Sequence, residues 1–256
     1  MTPIIESKLP NVGTTIFTVM SALAQECQAV NLGQGFPDFA CDPQLVDAVT
    51  AAMQKGLNQY PSMLGVLELR QAVSDKIERL YGRRYDPVQE ITITAGATQA
   101  IINAVLAVVR PGDEVIVPTP CFVAYQAEVV LAGGVAVELP TYADDGFQLR
   151  PEALEAAITP RTKAIMICNP NNPTGYLYSK EELESLRSIV KKHDLWLFSD
   201  EVYREFCYDG KQYFSVMNLE GIEQNVVMLD SISKRYSACG ARIGALITRN
   251  KELMST

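Results

Sequence analysis

The sequence predicts an α/β protein of three layers, in which helices cover both faces of a mostly parallel β-sheet. Two observations lead to this fold class. From Glu90 onward, short runs of β-branched and apolar residues alternate with longer segments of helical periodicity. The chain also has 256 residues, 48% of them hydrophobic and 20% charged, which is enough to fill the core of a large domain. The predicted strands are EITITA, EVIVP, VAVEL, KAIMIC, LWLFSD, NVVMLD and ARIGALIT.

Helical patterns fill the N-terminal part of the chain and the intervals between most of the strands. Apolar residues recur at helical spacing over residues 14–25, and the glycines and Pro37 of NLGQGFPDFA then require a loop. Asp42 followed by Pro43 is typical of a helix start, and this helix should run to Gly56. Further helices are predicted over residues 64–81, 98–109, 122–132, 151–158 and 179–193.

Composition and charge exclude several classes of protein. A formal net charge of −8 argues against a non-specific nucleic-acid surface or an anionic-membrane surface. The six cysteines are scattered, without a CxxC pair and with only His193 to assist them, so no metal site is expected and the thiols should be reduced. The N-terminus lacks the pattern of a signal peptide, and no apolar run is long enough to span a bilayer. We therefore expect a cytoplasmic protein.

Polar residues collect where four of the predicted strands end. These places hold Gly96-Ala97-Thr98, the NPNNPTG segment, Asp200 with Tyr203, and the run from Ser231 to Lys234. Each could by itself be a turn, a helix cap or a structural carboxylate. Ligands of open α/β sheets bind beyond the carboxyl ends of the strands, so the joint placement of these residues predicts a ligand site.

Lys234 has the most unusual surroundings of these residues, because it follows an apolar run and precedes small residues. Burying an ammonium group costs several kcal/mol unless it is paired or loses its charge. The alternative is a lysine at a strand end that reaches solvent beside an ordinary turn. A neutral amine in a pocket can form a Schiff base with a carbonyl group. Thr98 at a helix start, with Ser231 and Arg242, suits a phosphate group.

The remaining polar residues suit a pyridine ring. A carboxylate at Asp200 can keep a pyridine nitrogen protonated, while Tyr203 and Asn172 can donate to a phenolate oxygen. Phe122, at the start of the helix after EVIVP, either stacks on the ring or packs in the core.

Together these motifs resemble those of a known enzyme family. The set G96-A97-T98, N169-P-N-N-P-T-G175, S199-D-E-V-Y203 and S231-I-S-K-R-Y-S-A-C-G-A-R242 resembles the pyridoxal-phosphate-dependent aminotransferases of fold type I, class I/II. The resemblance covers essentially the whole chain. The GQGFPDF of residues 33–39 is most similar to the branch containing methionine, aromatic and kynurenine aminotransferases.

The resemblance implies a role for each matching residue. Lys234 would hold pyridoxal phosphate covalently and move a proton during catalysis, with Asp200 and Tyr203 as the other catalytic residues. Asp200 would pair with the ring nitrogen, Tyr203 and Asn172 would hold the ring oxygen, and Phe122 would stack on the ring. The implied phosphate-binding residues are Gly96, Ala97, Thr98, Ser231 and Arg242, with Tyr60 contributed to the partner subunit's cofactor. The implied substrate-binding residues are Gly35 and Asn172.

The resemblance also implies a domain organisation and a reaction. Residues 1–45 would form an N-terminal arm and part of a small domain, and residues 46–256 an incomplete large pyridoxal-phosphate-binding domain. Chains of this family continue well past this end, into a C-terminal small domain whose arginine binds the substrate carboxylate, and no residue here takes that role. The expected protein is a homodimer that moves an amino group from an L-amino acid to a 2-oxo acid, although a truncated chain could bind the cofactor without full activity.

Four alternatives remain to be weighed against an aminotransferase. A β-lyase acting on sulfur amino acids would share the lysine, the aspartate and the fold. A dinucleotide-binding oxidoreductase is disfavoured because Asp38 occupies the third glycine position of the fingerprint that Gly33 begins, and no GxxxxGK[ST] run exists for a nucleotide phosphate. A ligand-sensing domain of a transcription regulator would need a DNA-binding segment before GQGFPDF. The last alternative is an inert truncated product.

Overall fold

The computed structural model describes residues 6–10, 12–33, 35, 37 and 39–256. The start of the sequence and three residues of the GQGFPDF segment, Gln34, Phe36 and Asp38, lie outside the described residues. All seven predicted strands are present and form one sheet. They are β1 (Ile91–Thr94), β2 (Glu114–Thr119), β3 (Val135–Pro140), β4 (Thr162–Cys168), β5 (Trp196–Asp200), β6 (Val226–Ser231) and β7 (Gly244–Ile247).

The sheet has the strand order β1-β7-β6-β5-β4-β2-β3 and is mostly parallel, as predicted. Strands β2 to β6 pair in parallel, whereas β7 runs antiparallel to both of its neighbours, β1 and β6. Gly244 at the start of β7 lies between Thr94 of β1 and Ser231 of β6. The antiparallel strand thus brings the residues just before it, including Arg242, to the edge where β1, β5 and β6 end.

The predicted helices are confirmed, with bounds that differ by a few residues. The longer helices are α1 (Ile16–Glu26), α2 (Pro43–Gln54), α3 (Leu67–Tyr81), α4 (Gly96–Val108), α5 (Ala124–Leu131), α6 (Pro151–Ala157) and α7 (Lys180–His193). Two short helices were not predicted, α8 (Ile232–Arg235) and α9 (Lys251–Ser255). Helix α9 follows β7 at a place where the sequence shows no helical pattern. The Asn250 side chain accepts from Leu253 N at 2.9 Å and starts α9, which is too short to show periodicity in the sequence.

Two hydrophobic clusters cover the two faces of the sheet and establish the three layers. The first cluster contains Ile165 and Met228 from the strands and Leu183 from α7. The second contains their strand neighbours Met166 and Leu229, together with residues of α4 and α5. Successive strand residues point to opposite faces, so this division follows directly from the backbone. Full burial of each large apolar side chain contributes about 1.5–3 kcal/mol.

The described residues contain no candidate membrane span and no candidate metal site. Among them, no helix combines the length and the apolar character needed to span a bilayer. The same residues hold no group of three or more His, Cys, Asp or Glu side chains placed to bind a metal ion.

Candidate active site

A cavity of about 320 Å³ opens at the carboxyl ends of the parallel strands, the edge that the sequence predicted. Its volume lies within the range of small-molecule sites. It brings together most of the predicted site residues. Those that line it are Gly35, Ala97, Thr98, Phe122, Asn172, Asp200, Tyr203, Ser231, Lys234 and Arg242.

Lys234 projects into this cavity from α8. The helix begins at Ser231, whose Oγ accepts from Ser233 N at 3.0 Å, so the last residue of β6 caps the turn that presents the lysine. The Lys234 Nζ lies 5.7 Å from the centroid of the Tyr203 ring. Lys234 is half-buried, so its amine faces the cavity while part of the side chain remains accessible. The structure therefore supports a pocket amine and not a lysine that simply reaches solvent.

Asp200 ends β5 at the floor of the cavity and is 4% exposed. Its Oδ2 accepts a hydrogen bond from the Tyr125 hydroxyl at 2.8 Å, and its Oδ1 accepts from Val202 N at 3.2 Å. Burial raises the pKa of Asp200 to about 6, although both hydrogen bonds favour the ionised form. A positively charged group in the cavity would stabilise the carboxylate further.

Tyr125 was not identified from the sequence. It is 1% exposed on α5, three residues after Phe122, which precedes this helix, and the two rings meet edge to face with centroids 5.6 Å apart. Its spacing of three residues from Phe122 was the available signal, because residues three apart share one face of a helix. Tyr125 belongs to the second cluster, and the hydrogen bond from its hydroxyl fixes the orientation of the Asp200 carboxylate.

Gly96, Ala97 and Thr98 form the first turn of α4, whose backbone N–H groups have no partner within the helix. Ala97 and Thr98 line the cavity. Gly96 has φ +80 and lies against the Arg242 guanidinium, and a Cβ at this position would overlap it. Gly244 of β7 is equally restricted, because its Cβ would overlap the backbone of Gly96. These two glycines allow the helix N-terminus and a guanidinium to approach the same space, which is the arrangement that binds phosphate.

Two predicted residues lie outside the cavity. Gly96 packs against the guanidinium of Arg242, which does line the cavity. Tyr60 is fully exposed on the connection between α2 and α3. Several lining residues were not predicted from the sequence, because small or apolar residues carry no motif of their own. They are Phe17, Ile101, Tyr125, Cys168, Val202 and Cys239, whereas Ser233, which also lines the cavity, belongs to the predicted run from Ser231 to Lys234.

Glu128 is a second buried carboxyl group near Asp200 that the sequence did not reveal. It lies on α5, is 6% exposed, and its Oε2 has no hydrogen-bond partner among the described residues. Burial, followed by the negative charge of Asp200, raises the pKa of Glu128 to about 8. At neutral pH this side chain is therefore mainly protonated, which avoids a second negative charge beside Asp200.

A family model for class I and II aminotransferases matches residues 28–256. The chain belongs to this family. The sequence is 41% identical over 215 residues to the putative aminotransferase YugH of Bacillus subtilis, and this match covers 84% of the chain and 55% of that relative. It is 39% identical over 225 residues to aromatic-amino-acid aminotransferase 2 of Thermococcus litoralis, covering 88% of the chain and 58% of the relative.

Solved structures of aminotransferases share the fold. YbdL of Escherichia coli, described as a methionine aminotransferase, superposes with a TM-score of 0.94 at 35% identity. The superposition covers 99% of this chain and 66% of that one. The chain therefore spans between about half and two thirds of the length of these relatives. The family resemblance inferred from the motifs is confirmed, and methionine and aromatic aminotransferases are among the relatives.

Pyridoxal phosphate is the cofactor of this family, and the residues of the cavity fit it. Asp200 is a buried carboxylate whose pKa is raised and which gains from a protonated ring nitrogen. The first turn of α4 and Arg242 meet at two positions where only glycine fits, which leaves a site for phosphate. Lys234 lines the same cavity, and its primary amine is the kind of group that can condense with an aldehyde.

Proposed function

We propose that this protein is a pyridoxal-phosphate-dependent aminotransferase that moves an amino group from an L-amino acid to a 2-oxo acid. One observation carries the proposal: an amine, a buried carboxylate and a phosphate-type site line one cavity at the edge of the sheet. Bound there, the cofactor supplies a ring that withdraws the electron pair released at the substrate α-carbon. The chain's own residues bind and orient that ring and move the proton.

Lys234 has two roles in this proposal. Its Nζ would hold the cofactor covalently, and, once the substrate amine has displaced it, the same atom would take the proton from the substrate α-carbon and deliver it to C4′ of the cofactor. The short α8 and its Ser231 cap fix the direction from which Nζ approaches. The Tyr203 ring lies 5.7 Å from Nζ and limits the space in which the amine moves.

The other side chains orient the ring. Asp200 keeps the ring nitrogen protonated, and its hydrogen bond from Tyr125 holds the carboxylate in place. Tyr203 and Asn172 hold the ring oxygen, while Phe122 stacks on the ring and Gly35 meets the substrate carboxylate through its backbone. The phosphate is bound by the first turn of α4, by Ser231 and by Arg242. The buried second cluster, which includes Tyr125, would exclude water from the side of the site at which Tyr125 contacts Asp200.

We also propose a homodimer in the cytoplasm, in which Tyr60 reaches the cofactor phosphate of the partner subunit. The complete exposure of Tyr60 supports this role, because it leaves the tyrosine ring accessible to a partner subunit. The domain organisation stays the one proposed above, with a boundary after residue 45. Tyr60→Phe should keep the dimer and weaken cofactor retention, as measured by sedimentation and by dialysis. An unchanged rate of cofactor loss in the dimer would contradict the role.

The deciding experiment combines absorption spectroscopy with chemical labelling. Purified protein is mixed with pyridoxal phosphate, reduced with borohydride and digested, and the labelled peptide is sequenced. We expect the label on Lys234. A panel of amino acids is then added to unreduced protein, and one donor should convert the bound cofactor to its amine form and yield a 2-oxo acid. Release of pyruvate and ammonia without an acceptor would indicate a β-lyase instead, and labelling of another lysine would contradict the site.

A further inference from the structure

A cluster of charged side chains lies on the side of the sheet opposite to the cavity. It consists of Arg204, Glu205, Asp230 and Arg235, here called the rear ion cluster. Both arginines are direct sequence neighbours of cavity residues, since Arg204 follows Tyr203 and Arg235 follows Lys234. On β6, Asp230 shares a face with Met228 of the first cluster, whereas Ser231 lines the cavity.

Its ionic contacts join two segments of the chain. The Arg204 Nη2 lies 2.5 Å from Asp230 Oδ2, and these side chains are 2% and 11% exposed. The Arg235 Nη2 donates to Glu205 Oε2 at 2.6 Å. In both contacts one partner follows β5, directly after the segment of Asp200 and Tyr203, and the other belongs to the segment of Ser231 and Lys234. Glu205 also meets Lys76 of α3 at 3.2 Å, which anchors the cluster to a long helix.

Stability alone does not account for this arrangement. Removing two charges from water costs about as much as their attraction returns, so apolar replacements of buried ion pairs are often neutral or stabilising. The cluster is also incompletely bonded. Among the described residues, no hydrogen-bond partner is found for Arg204 Nε and Nη1, for Asp230 Oδ1 or for Arg235 Nε. Its clear structural consequence is that it links the two segments that present Tyr203 and Lys234 to the cavity.

We propose that the rear ion cluster, through the contact between Arg204 and Asp230, positions Tyr203 and Lys234 relative to each other. Arg204 and Asp230 are positioning residues, because neither lines the cavity. This inference rests on the proposed function in assigning Lys234 to the cofactor. In this proposal the cavity residues hold the cofactor and the substrate, and the rear ion cluster on the opposite side of the sheet determines how Tyr203 and Lys234 are placed.

The test separates positioning from stability. The double variant Arg204→Met with Asp230→Leu replaces the ion pair by apolar side chains, and Arg83→Met is the matched control. Arg83 forms a surface ion pair with Glu220 at 2.6 Å, far more exposed, with side chains 36% and 75% accessible. Denaturant unfolding, amide hydrogen exchange of residues 200–206 and 230–243 without cofactor, and visible circular dichroism of the bound cofactor are measured for each protein.

We expect the double variant to unfold at the same denaturant concentration as the wild type, or a higher one. Exchange of both segments should nevertheless become roughly tenfold faster or more, and the circular dichroism of the cofactor should fall, because small displacements of site residues have large effects. Arg204→Lys retains a charge near Asp230 and should recover part of the signal. Arg83→Met should behave as the wild type.

Each outcome decides the inference. Unchanged exchange in both segments, with unchanged circular dichroism, would overturn it. A loss of stability that accounts for all of the faster exchange would also overturn it, since the cluster would then be merely structural. The hydrogen-exchange measurement needs no cofactor. If the wild type fails to label Lys234, the proposed function fails, and the exchange of the two segments still decides whether the cluster orders them.

Discussion

The helices that cover the sheet and those of the N-terminal segment, meaning the described residues between 6 and 66, have equally clear helical patterns in the sequence. Their apolar faces nevertheless lie in different environments. Helix α7 buries Leu183, Leu186, Ile189 and Val190 in the first cluster. In α1 and α2 every residue is at least partly exposed. On α2 the apolar residues Val46, Val49 and Met53 are 49%, 53% and 62% exposed.

This difference teaches that periodicity predicts a helix and its apolar face, but not the surface on which that face packs. The apolar face of α7 meets strands of the same described chain, whereas the apolar face of α2 remains largely exposed. The two regions also contribute unequally to the cavity. Its polar side chains come from the segments after the strands, and the N-terminal segment contributes Phe17 and Gly35.

The largest expected effect is the loss of cofactor attachment in Lys234→Ala. Lys234 is the one lysine that lines the cavity among the residues the structure describes, so without its Nζ borohydride reduction in the presence of pyridoxal phosphate should leave the peptide of residues 231–242 unlabelled. Lys163→Ala is the matched control, because Lys163 is an exposed lysine at the start of β4, away from the carboxyl edge. Equal labelling of the wild type and Lys234→Ala would show that the cofactor is not attached at the carboxyl edge of the sheet.

The second prediction compares one substitution in both regions. Leu183→Ala removes a side chain that is fully buried in the first cluster and should lower the free energy of unfolding by about 2–5 kcal/mol. Leu23→Ala on α1 removes a side chain that is 46% exposed and should change it by less than about 0.5 kcal/mol. Denaturant unfolding measures both. Similar losses would mean that the N-terminal segment is coupled to the core.

The third prediction concerns pH. Burial and the charge of Asp200 raise the pKa of Glu128 to about 8, above its value near 4.5 in an unfolded chain. Between these pH values the folded state retains a proton that the unfolded state releases, so this contribution to stability is present at low pH and is lost as pH rises through 8. Its slope reaches at most about 1.4 kcal/mol per pH unit.

Glu128→Gln should remove that slope, because the amide does not titrate. Unfolding by denaturant from pH 5 to pH 8 measures the difference, with Glu26→Gln on the exposed α1 as the control. A Glu128→Gln variant that loses stability as steeply as the wild type would show that Glu128 is already ionised in the folded protein.

The smallest expected effects concern helix caps. Ser179 caps α7 in a capping box with Glu182, and Ser179→Ala should lower the free energy of unfolding by about 1 kcal/mol. The Asp42 side chain caps α2 by accepting from Gln44 N at 2.8 Å. Asp42→Ala should speed hydrogen exchange in α2 with little change in global stability, because α2 contributes little to the core. An equal global loss would contradict the division between the two regions.

Most of the fold was predictable from the sequence because the strands β2, β4, β5, β6 and β7 are buried over most of their length. Parallel strands covered on both faces appear as continuous apolar runs, and turn residues separate them clearly. The short helices α8 and α9 were missed, since four or five residues are too few to show a period. In the candidate site, Lys234, Asp200 and Thr98 were predictable because Asp200 ends a strand and the other two come shortly after one. Tyr125 and Glu128 were not, because they lie within a helix whose pattern indicates only a buried face.

The sequence by itself determined the family, the parallel sheet and the chemical groups at its carboxyl edge. These features depend on local order along the chain, namely strand, polar turn and helix. The tertiary structure decided which of these groups act on one another. The hydrogen bond between Tyr125 and Asp200 joins residues 75 positions apart, and the contact between Arg204 and Asp230 joins residues 26 apart. Such pairs form only when crossover connections bring neighbouring strands together, so no local pattern in the sequence records them.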